Sequence, residues 1–292
     1  MLCIVRRCAL AWGSVLVAGA VIACTSTAGL TSPDHDDGGI GAGNDAGGTG
    51  GDANGGADAS VPDGADVDGS LGEGGTQDLY RATVIADSPL SYWKLDETSG
   101  ILAKDQMGAN DGTYQGGFTF GEPSPAKAGG GAVRFGGTNG RVSIGSVLDF
   151  AGKTAITLEA WINLDLLDTD YRRVIAKRGT GSTGYSIFCQ SNESGCTFEL
   201  ETGACSMSLP TGQWVHVVGT YDGATMRGYL NGNEVCTKVV TNGLGTANAP
   251  LVLGAYSGGG NYLKGALDEI AIYDTALSAA RVKAHYQAMT GQ

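Results

Sequence analysis

From about Leu79 onward the chain consists of short runs rich in Trp, Tyr, Phe, Ile and Val, each stopped by Gly, Asn or Asp. Runs this short satisfy their backbone hydrogen bonds only by pairing with one another. Repeated short strands with turn residues between them are the pattern of an all-β sandwich. Ser91–Leu95 alternates, with Trp93 and Leu95 on one side. Ala132–Phe135 and Arg141–Ile144 flank Gly136-Gly137-Thr138-Asn139-Gly140, read as a hairpin connection. In Ala155–Leu164, residues Ile156, Leu158, Ala160 and Ile162 share a face. Tyr185–Gln190 and Cys196–Glu201 are joined through Ser191–Gly195. Asp222-Gly223 joins Gln213–Tyr221 to Thr225–Leu230, and Asn231-Gly232 turns the chain into Glu234–Val240; both are strong hairpin signals. Pro250–Gly254 and Ala266–Tyr273 complete the set. One helix is expected, capped by Ser278 and carrying Val282 and Tyr286 one turn apart. Residues 80–292 are enough for one large sandwich with a substantial core.

Composition divides the chain. Glycine supplies 50 of the 292 residues, and the formal charge is -12. Residues 25–79 carry eleven acids and neither Lys nor Arg, whereas residues 80–292 carry 19 acids against 16 bases. The acidity belongs to one segment, and the near-neutral remainder excludes a basic nucleic-acid binder. Segment 25–79 is of low complexity, with runs such as Gly38-Gly39-Ile40-Gly41-Ala42-Gly43 that offer nothing to bury. Such a segment cannot offset its ordering entropy and is expected to be a disordered spacer. As a flexible coil it would reach roughly 40 Å. Gly47-Gly48-Thr49-Gly50-Gly51-Asp52 matches the start of a calcium-binding nonapeptide repeat. Asn54 stands at the next apolar position and no second copy follows, so a solvated spacer is the expectation.

Residues 1–24 read as a targeting signal. Arg6 and Arg7 precede an apolar run from Ala9 to Ala23. That run falls short of the ~20 residues a bilayer span needs and suits the hydrophobic region of a signal peptide. It ends in Val21-Ile22-Ala23-Cys24, which resembles a bacterial lipobox, so Cys24 is expected to be lipidated and to become the mature N-terminus. Thr25 follows where an Asp would, by the same resemblance, favour inner-membrane retention; the outer membrane or cell surface is expected. Plain cleavage after Ala20 or Ala23, giving a secreted protein, is the alternative.

Six blocks stand in order along the folded part. They are Tyr92-Trp93-Lys94-Leu95-Asp96-Glu97 with Asp111-Gly112-Thr113-Tyr114; Ala132-Val133-Arg134-Phe135 with Gly136-Gly137-Thr138-Asn139; Thr157-Leu158-Glu159-Ala160-Trp161-Ile162; Trp214-Val215-His216-Val217-Val218-Gly219-Thr220-Tyr221-Asp222-Gly223; Tyr229-Leu230-Asn231-Gly232; and Leu267-Asp268-Glu269-Ile270-Ala271-Ile272-Tyr273. From about Ser91 to Tyr286 this order resembles the laminin-G-like family of the concanavalin A-like lectin/glucanase superfamily. The resemblance implies a two-sheet antiparallel jelly-roll sandwich. It also implies binding of glycans or proteins, often helped by calcium, and usually no catalysis.

Removing the signal deletes Cys3 and Cys8, and Cys24 takes the lipid; Cys189, Cys196, Cys205 and Cys236 remain. An even number in an exported domain points to two disulfides, with three pairings open. Cys189 and Cys196 fall near opposite positions of the expected hairpin, which would leave Cys205 with Cys236; free thiols are the alternative. A zinc site would ask for a Cys-x-x-Cys pair, which is absent. If Ser91–Leu95 pairs antiparallel with Ala266–Tyr273, Asp96 approaches Asp268, and alternation would put Asp268 on the face of Ile270 and Ile272. An unpaired carboxylate there is costly. Structural calcium held by Asp96, Asp105 and Asp268 is one expectation, because calcium takes several oxygens, backbone carbonyls included. Hydrogen bonds from backbone amides, or pairing with Lys94 or Lys264, are the other. Glu269 is expected to face solvent.

Glucanases share this architecture, and a glycosidase needs two carboxylates flanking the bond it cuts. The Glu-x-Asp-x-x-Glu string of the related glucanases is absent. Glu199-Leu200-Glu201 comes nearest, but runs at once into Thr202-Gly203 and lacks the third acid. His216 alternates with Trp214 and Val218 and reads as a core histidine. No enzyme is expected. Two loops are expected to meet a ligand, Asp165–Arg178 with Tyr171, Arg172 and Arg173, and Tyr256–Tyr262 with its two tyrosines. Arg172 and Arg173 would suit an anionic polysaccharide, or would pair with Asp168 and Asp170. The expected function is a lipid-anchored surface module that binds extracellular polysaccharide or protein without changing it. A structural or adhesive envelope component without a small ligand, or a glycoside hydrolase, are the alternatives.

Overall fold

The computed structural model describes residues 75–126, 130–179, 183–241 and 243–292. The signal segment 1–24, Cys24, the Gly47–Asp52 repeat fragment and the spacer up to residue 74 lie outside them. Helix α1 (Thr76–Ala86) comes first. The strands follow as β1 (Ser91–Trp93), β2 (Leu102–Ala103), β3 (Gly112–Gln115), β4 (Phe118–Pro123), β5 (Gly131–Gly136), β6 (Arg141–Gly145), β7 (Ile156–Leu164), β8 (Arg172–Arg178), β9 (Gly184–Gln190), β10 (Gly195–Glu199), β11 (Ala204–Ser208), β12 (Val215–Tyr221), β13 (Thr225–Leu230), β14 (Asn233–Val239), β15 (Leu251–Leu253) and β16 (Lys264–Tyr273), and helix α2 (Ala279–Thr290) comes last.

The strands form two antiparallel sheets of a jelly-roll sandwich. The first runs β14-β13-β12-β7-β16-β5-β4, with β1 also paired to β16; the second runs β11-β10-β9-β8-β15-β6-β3-β2. Local turn chemistry sets much of this order. Asp222 accepts from the amides of Ala224 and Thr225 at 3.0 and 2.8 Å, so Tyr221 pairs with Met226 and Val217 with Leu230. Asn231 and Gly232 both take positive φ, 50° and 77°, as a two-residue hairpin turn requires. Between the sheets, Leu158, Ala160 and Ile162 of β7 and Leu267, Ile270 and Ile272 of β16 share one core with Ile175, Ile187, Phe198 and Leu253 of the second sheet. Phe198 fits because β12 carries Gly219 opposite it; a Cβ there would collide with the ring.

Four expectations need correction. Gly136–Gly140 is not a hairpin: β5 pairs with β16 and β4, whereas β6 pairs with β15 and β3. The glycine-rich link carries the chain from one layer to the other, so Phe135 and Val142 sit in the shared core. The stretch Asp165–Arg178, read as a loop, ends in strand β8, buried along its whole length. Helix α1 starts inside the expected spacer. No side chain caps its N-terminus, but it buries Tyr80 and Val84 one turn apart, so tertiary docking, not propensity, holds it. Finally, β16 bulges between Asp268 and Ala271, with Glu269 at φ 53°. A bulge sets two residues against one and shifts the alternation. Ile270 and Ile272 therefore stay in the core while Asp268 turns to the outer face, and Glu269 is fully buried instead of solvated.

Both disulfides form as expected. Cys189 and Cys196 face each other directly on β9 and β10. Cys205 on β11 joins Cys236 on β14, tying the edge of one sheet to the edge of the other. For a separation of 31 residues, chain-entropy reasoning gives roughly 3–4 kcal/mol. We expect Cys205→Ser with Cys236→Ser to lower the stability to urea by about 3 kcal/mol, and by more than Cys189→Ser with Cys196→Ser, whose loop is shorter. Equal urea midpoints for the two double variants would contradict this.

Candidate functional site

The outer face of the second sheet gathers polar and aromatic side chains that are mostly buried, with Tyr171 exposed at their rim. Register puts Arg173 opposite Phe188, Ala176 opposite Ser186 and Arg178 opposite Gly184, while Glu199 pairs with Ser186 from the other side. Ile175, Ile187, Cys189, Cys196 and Phe198, which alternate with them, are core residues, so Arg173, Ser186, Phe188, Glu199 and Arg178 share the outer face. The Arg173 guanidinium lies 4.7 Å from the centre of the Phe188 ring, 5.5 Å from Tyr171 and 5.7 Å from Tyr256. It donates to the Ser186 hydroxyl at 2.7 Å and to Glu199 at 3.1 Å. Arg178 reaches the other Glu199 oxygen at 3.0 Å. One carboxylate thus holds two guanidinium groups in fixed planes. Ser257 ties the Tyr256 loop to β8 by accepting from the Arg178 amide and donating to the Ala176 carbonyl. At this face, Arg173 Nε and Gln190 Oε1 are buried without a protein partner.

The five expected ligand residues divide. Tyr171, Arg173 and Tyr256 come together as just described. Arg172 turns away: it pairs with Asp168 and Asp170 and donates to the Tyr262 carbonyl at 2.9 Å. Its hydrogen bond with Asp168 raises the guanidinium pKa further and lowers that of the carboxyl. Tyr262 itself meets Arg141 through its hydroxyl. Arg173 does not pair with Asp168 or Asp170; Glu199 takes that place. Glu201, the other acid of the Glu199-Leu200-Glu201 string, sits exposed in the turn after β10.

The expected calcium ligands do not form a set. Asp105 is buried and takes four backbone amides, those of Tyr92, Met107, Ala109 and Asn110, at 2.9 to 3.2 Å. Its lone pairs organise the loop after β2 and are filled. Asp96 pairs with Lys94. Asp268 accepts from Ser124 at 2.7 Å, and its other oxygen has no partner. Among the described residues no three His, Cys, Asp or Glu side chains are arranged to hold a metal ion. Beside Asp268, Glu269 accepts from Tyr92 and from Gln77 of α1. Burial, and then repulsion by Glu269, pushes the Asp268 pKa well up; burial pushes Glu269 up to about 7.

A second polar cluster has no counterpart among the expected sites. Glu159, at the centre of β7, is fully buried on the outer face of the first sheet. It accepts from Tyr80 of α1 at 2.8 Å, His216 of β12 at 2.8 Å, His285 of α2 at 3.0 Å and Tyr273 of β16 at 2.9 Å. His216 is thus a satisfied core residue at Nε2, as its alternation suggests. The signal that could have found the cluster was a lone Glu inside an apolar nine-residue strand. A separate surface hollow lined by Lys153, Thr154, Tyr221 and Leu244 shares no residue with either cluster.

A family profile described as the concanavalin A-like lectin/glucanases superfamily, of laminin-G type, matches residues 135–283, just over half of the chain. The chain belongs to this superfamily. A comparison with curated protein sequences finds no match. Among solved structures the chain is similar to domain 4 of AbnA, a GH43 extracellular arabinanase from Geobacillus stearothermophilus, in complex with arabinotriose. That likeness has 19% identity and a TM-score of 0.51, covering 68% of this chain and 98% of that one. The binding domain of Paraclostridial Mosquitocidal Protein 1 is similar at 16% identity and TM-score 0.55, over 69% of this chain and 52% of that one. Trypanosoma rangeli sialidase is similar at 12% identity and TM-score 0.51, over 74% and 38%. At these identities the likeness is one of fold, and the chain spans about half or less of the last two.

The Asp268/Glu269 pair makes stability depend on pH. Glu269 has a folded pKa of about 7 against an ordinary value of 4.5. A raised carboxyl stabilises fully below its unfolded pKa and loses that contribution as pH rises through the folded one. Glu269→Gln should therefore flatten the fall in melting temperature between about pH 5 and pH 8. Parallel melting curves for variant and parent across that range would refute the assignment.

Proposed function

We propose that the domain is a non-catalytic binding module that takes an extracellular glycan on the outer face of the second sheet. The observation that carries this reading is the Arg173 guanidinium set among Phe188, Tyr171 and Tyr256 and held by Glu199. Sugar rings are bound by an aromatic surface for their apolar face and by fixed donors and acceptors for their hydroxyls. Both are present within one patch, and Tyr171 is 44% exposed. The buried, unpartnered Gln190 carbonyl and Arg173 Nε add polar atoms that ask for water or ligand. The arabinotriose complex of the AbnA domain, a whole domain matched along 98% of its length, supports the same class of ligand.

Two further features support recognition without turnover. Glu199 has one oxygen engaged by Arg178 and the other by Arg173 and Ser186, so neither is free to take or give a proton. Glu201 lies exposed in a turn. For the front of the chain, the Val21-Ile22-Ala23-Cys24 pattern supports a lipid anchor at Cys24, with the acidic spacer suspending the domain outside the outer membrane. Cys24→Ala should then move the protein from the membrane fraction to the soluble exported fraction; retention in the membrane would argue against lipidation.

The binding reading is tested with the intact chain on a polysaccharide array, followed by titration calorimetry. At least one extracellular polysaccharide should bind. Tyr256→Ala and Tyr171→Ala, both at the rim, should each weaken it by about tenfold, a loss of one ring contact. Failure of every glycan to bind, or binding indifferent to both substitutions, would remove the reading. Hydrolysis of a β-glucan that disappears with Glu199→Gln would replace it with the hydrolase alternative.

A further inference from the structure

The cluster around Glu159 lies on the opposite side of the molecule from the proposed glycan face and calls for its own account. We propose that His285 is held as an imidazolium that clasps both helices to the first sheet, and that this joint opens on alkaline titration while the sandwich stays folded.

The geometry fixes the protonation state. His285 Nδ1 lies 3.0 and 3.1 Å from the two Glu159 oxygens, and Nε2 lies 2.9 Å from Asp87. Ionised carboxylates only accept, and a neutral imidazole has one N–H. In the neutral form one ring nitrogen would turn a lone pair toward a carboxylate. Only the imidazolium donates on both sides. His216 differs: Nε2 meets Glu159 and Nδ1 has no partner, so a single N–H satisfies that ring's one contact.

The charges then balance. Glu159 and Asp87 are negative; His285 and Arg281 are positive, with Arg281 Nε on Asp87 at 2.8 Å. Every packed element supplies a group to this set. Glu159 comes from β7, His216 from β12, Tyr273 from β16, Tyr80 from α1 and Asp87 from its C-cap, while Arg281 and Tyr286 share α2 with His285. Tyr286 stacks on Trp161 and His216. The two tyrosine hydroxyls stay protonated and act as donors, because burial and then the Glu159 charge raise their pKa values well above normal.

The sign of the pH response follows. Burial alone would lower the His285 pKa, but the charge and hydrogen bond of Glu159 and those of Asp87 outweigh it and raise it. A raised histidine contributes its full stabilisation below its unfolded pKa of ~6.5 and loses it as pH climbs through the folded value. Glu159 works at the other end: burial would raise it, yet the His285 charge and the bonds from both histidines hold it well below the carboxylate range. The joint is therefore closed at neutral pH. Helix α1 is the element it releases, because α1 is held by Tyr80 and Gln77 on the sheet, by Val84 in the apolar cluster and by its C-cap Asp87 on α2, and Tyr80 and Asp87 both belong to the cluster. Release would uncover Tyr92, Trp161, Val218 and Tyr273, the apolar surface α1 and α2 now cover.

The test uses the full chain. Long-range proton–nitrogen correlation at pH 7 should show both His285 nitrogens protonated; a neutral His285 at pH 7 overturns the proposal. Hydrogen exchange, corrected for intrinsic rates, should show α1 losing protection at least tenfold above the His285 midpoint while β12 keeps its own. Uniform loss across α1 and β12 also overturns it. Glu159→Gln risks global unfolding, so Asp87→Asn at the edge of the cluster is the companion variant. It should lower the His285 midpoint and deprotect α1 at neutral pH. An unchanged midpoint with unchanged α1 protection would again count against the clasp.

Discussion

A carboxylate in the middle of a sheet, out of reach of water, has to be met by donors from whatever packs above it. Glu159 sits on β7, whose neighbours β12 and β16 are the central strands of the first sheet. Its hydration is replaced by two tyrosine hydroxyls and two imidazoles, drawn from two strands and both helices. Buried ion pairs of this kind seldom add stability over an apolar core, but breaking one leaves an uncompensated charge and is severe. Their use here is positional. The helices that bury Glu159 also supply two of its donors, Tyr80 and His285, which fixes α1 and α2 on this face.

That constraint explains why the two outer faces of the sandwich differ. The first sheet spends its outer face on covering helices, with Tyr92, Trp161, Val218 and Tyr273 beneath them. The second sheet has no helix over it. Its outer polar groups bond sideways along the sheet, Arg173 and Arg178 to Glu199, Thr197 to Ser206 at 3.1 Å. The rings of Tyr171, Phe188 and Tyr256 surround one of those guanidinium groups and do not form a closed apolar layer. The proposed ligand reading belongs to the face that neither helix covers and whose rim carries the exposed Tyr171 ring.

The sequence made legible what short-range chemistry decides. Asp222-Gly223 and Asn231-Gly232 set their hairpins through one side chain and two positive φ angles, and Ser278 caps α2 by accepting from the Arg281 amide. The pairing of Cys189 with Cys196 followed from one such hairpin. What depends on distant contacts was not legible. The Gly136–Gly140 link has hairpin composition but changes sheet, because its flanking strands pair in opposite layers, β5 with β16 and β4, β6 with β15 and β3. Helix α1 has no cap to announce it and exists by docking. The bulge in β16 turns Asp268 to the outer face, where α1 covers Glu269, and no residue type there signals an inserted position. Of the site residues, Tyr171, Arg173 and Tyr256 were marked by type alone, whereas Glu199, Phe188 and Ser186 join them only through strand register.

Glu159 and the Asp268/Glu269 pair are equally buried, yet they solve the same problem in opposite ways. Glu159 has a cation within reach in His285, so attraction and hydrogen bonds overcome burial and the group stays ionised. Asp268 and Glu269 face each other, and the nearest ammonium, Lys94, is already engaged by Asp96; burial prevails and both pKa values rise. One solution needs a proton on an imidazole and the other needs protons on carboxyls, and both lose their protons as pH rises. The two clusters meet at α1, whose Gln77 touches Glu269 and whose C-cap Asp87 touches His285. Alkaline conditions therefore act on the outer face of the first sheet from both ends of that helix. The outer face of the second sheet is built instead around the guanidinium groups of Arg173 and Arg178 on Glu199.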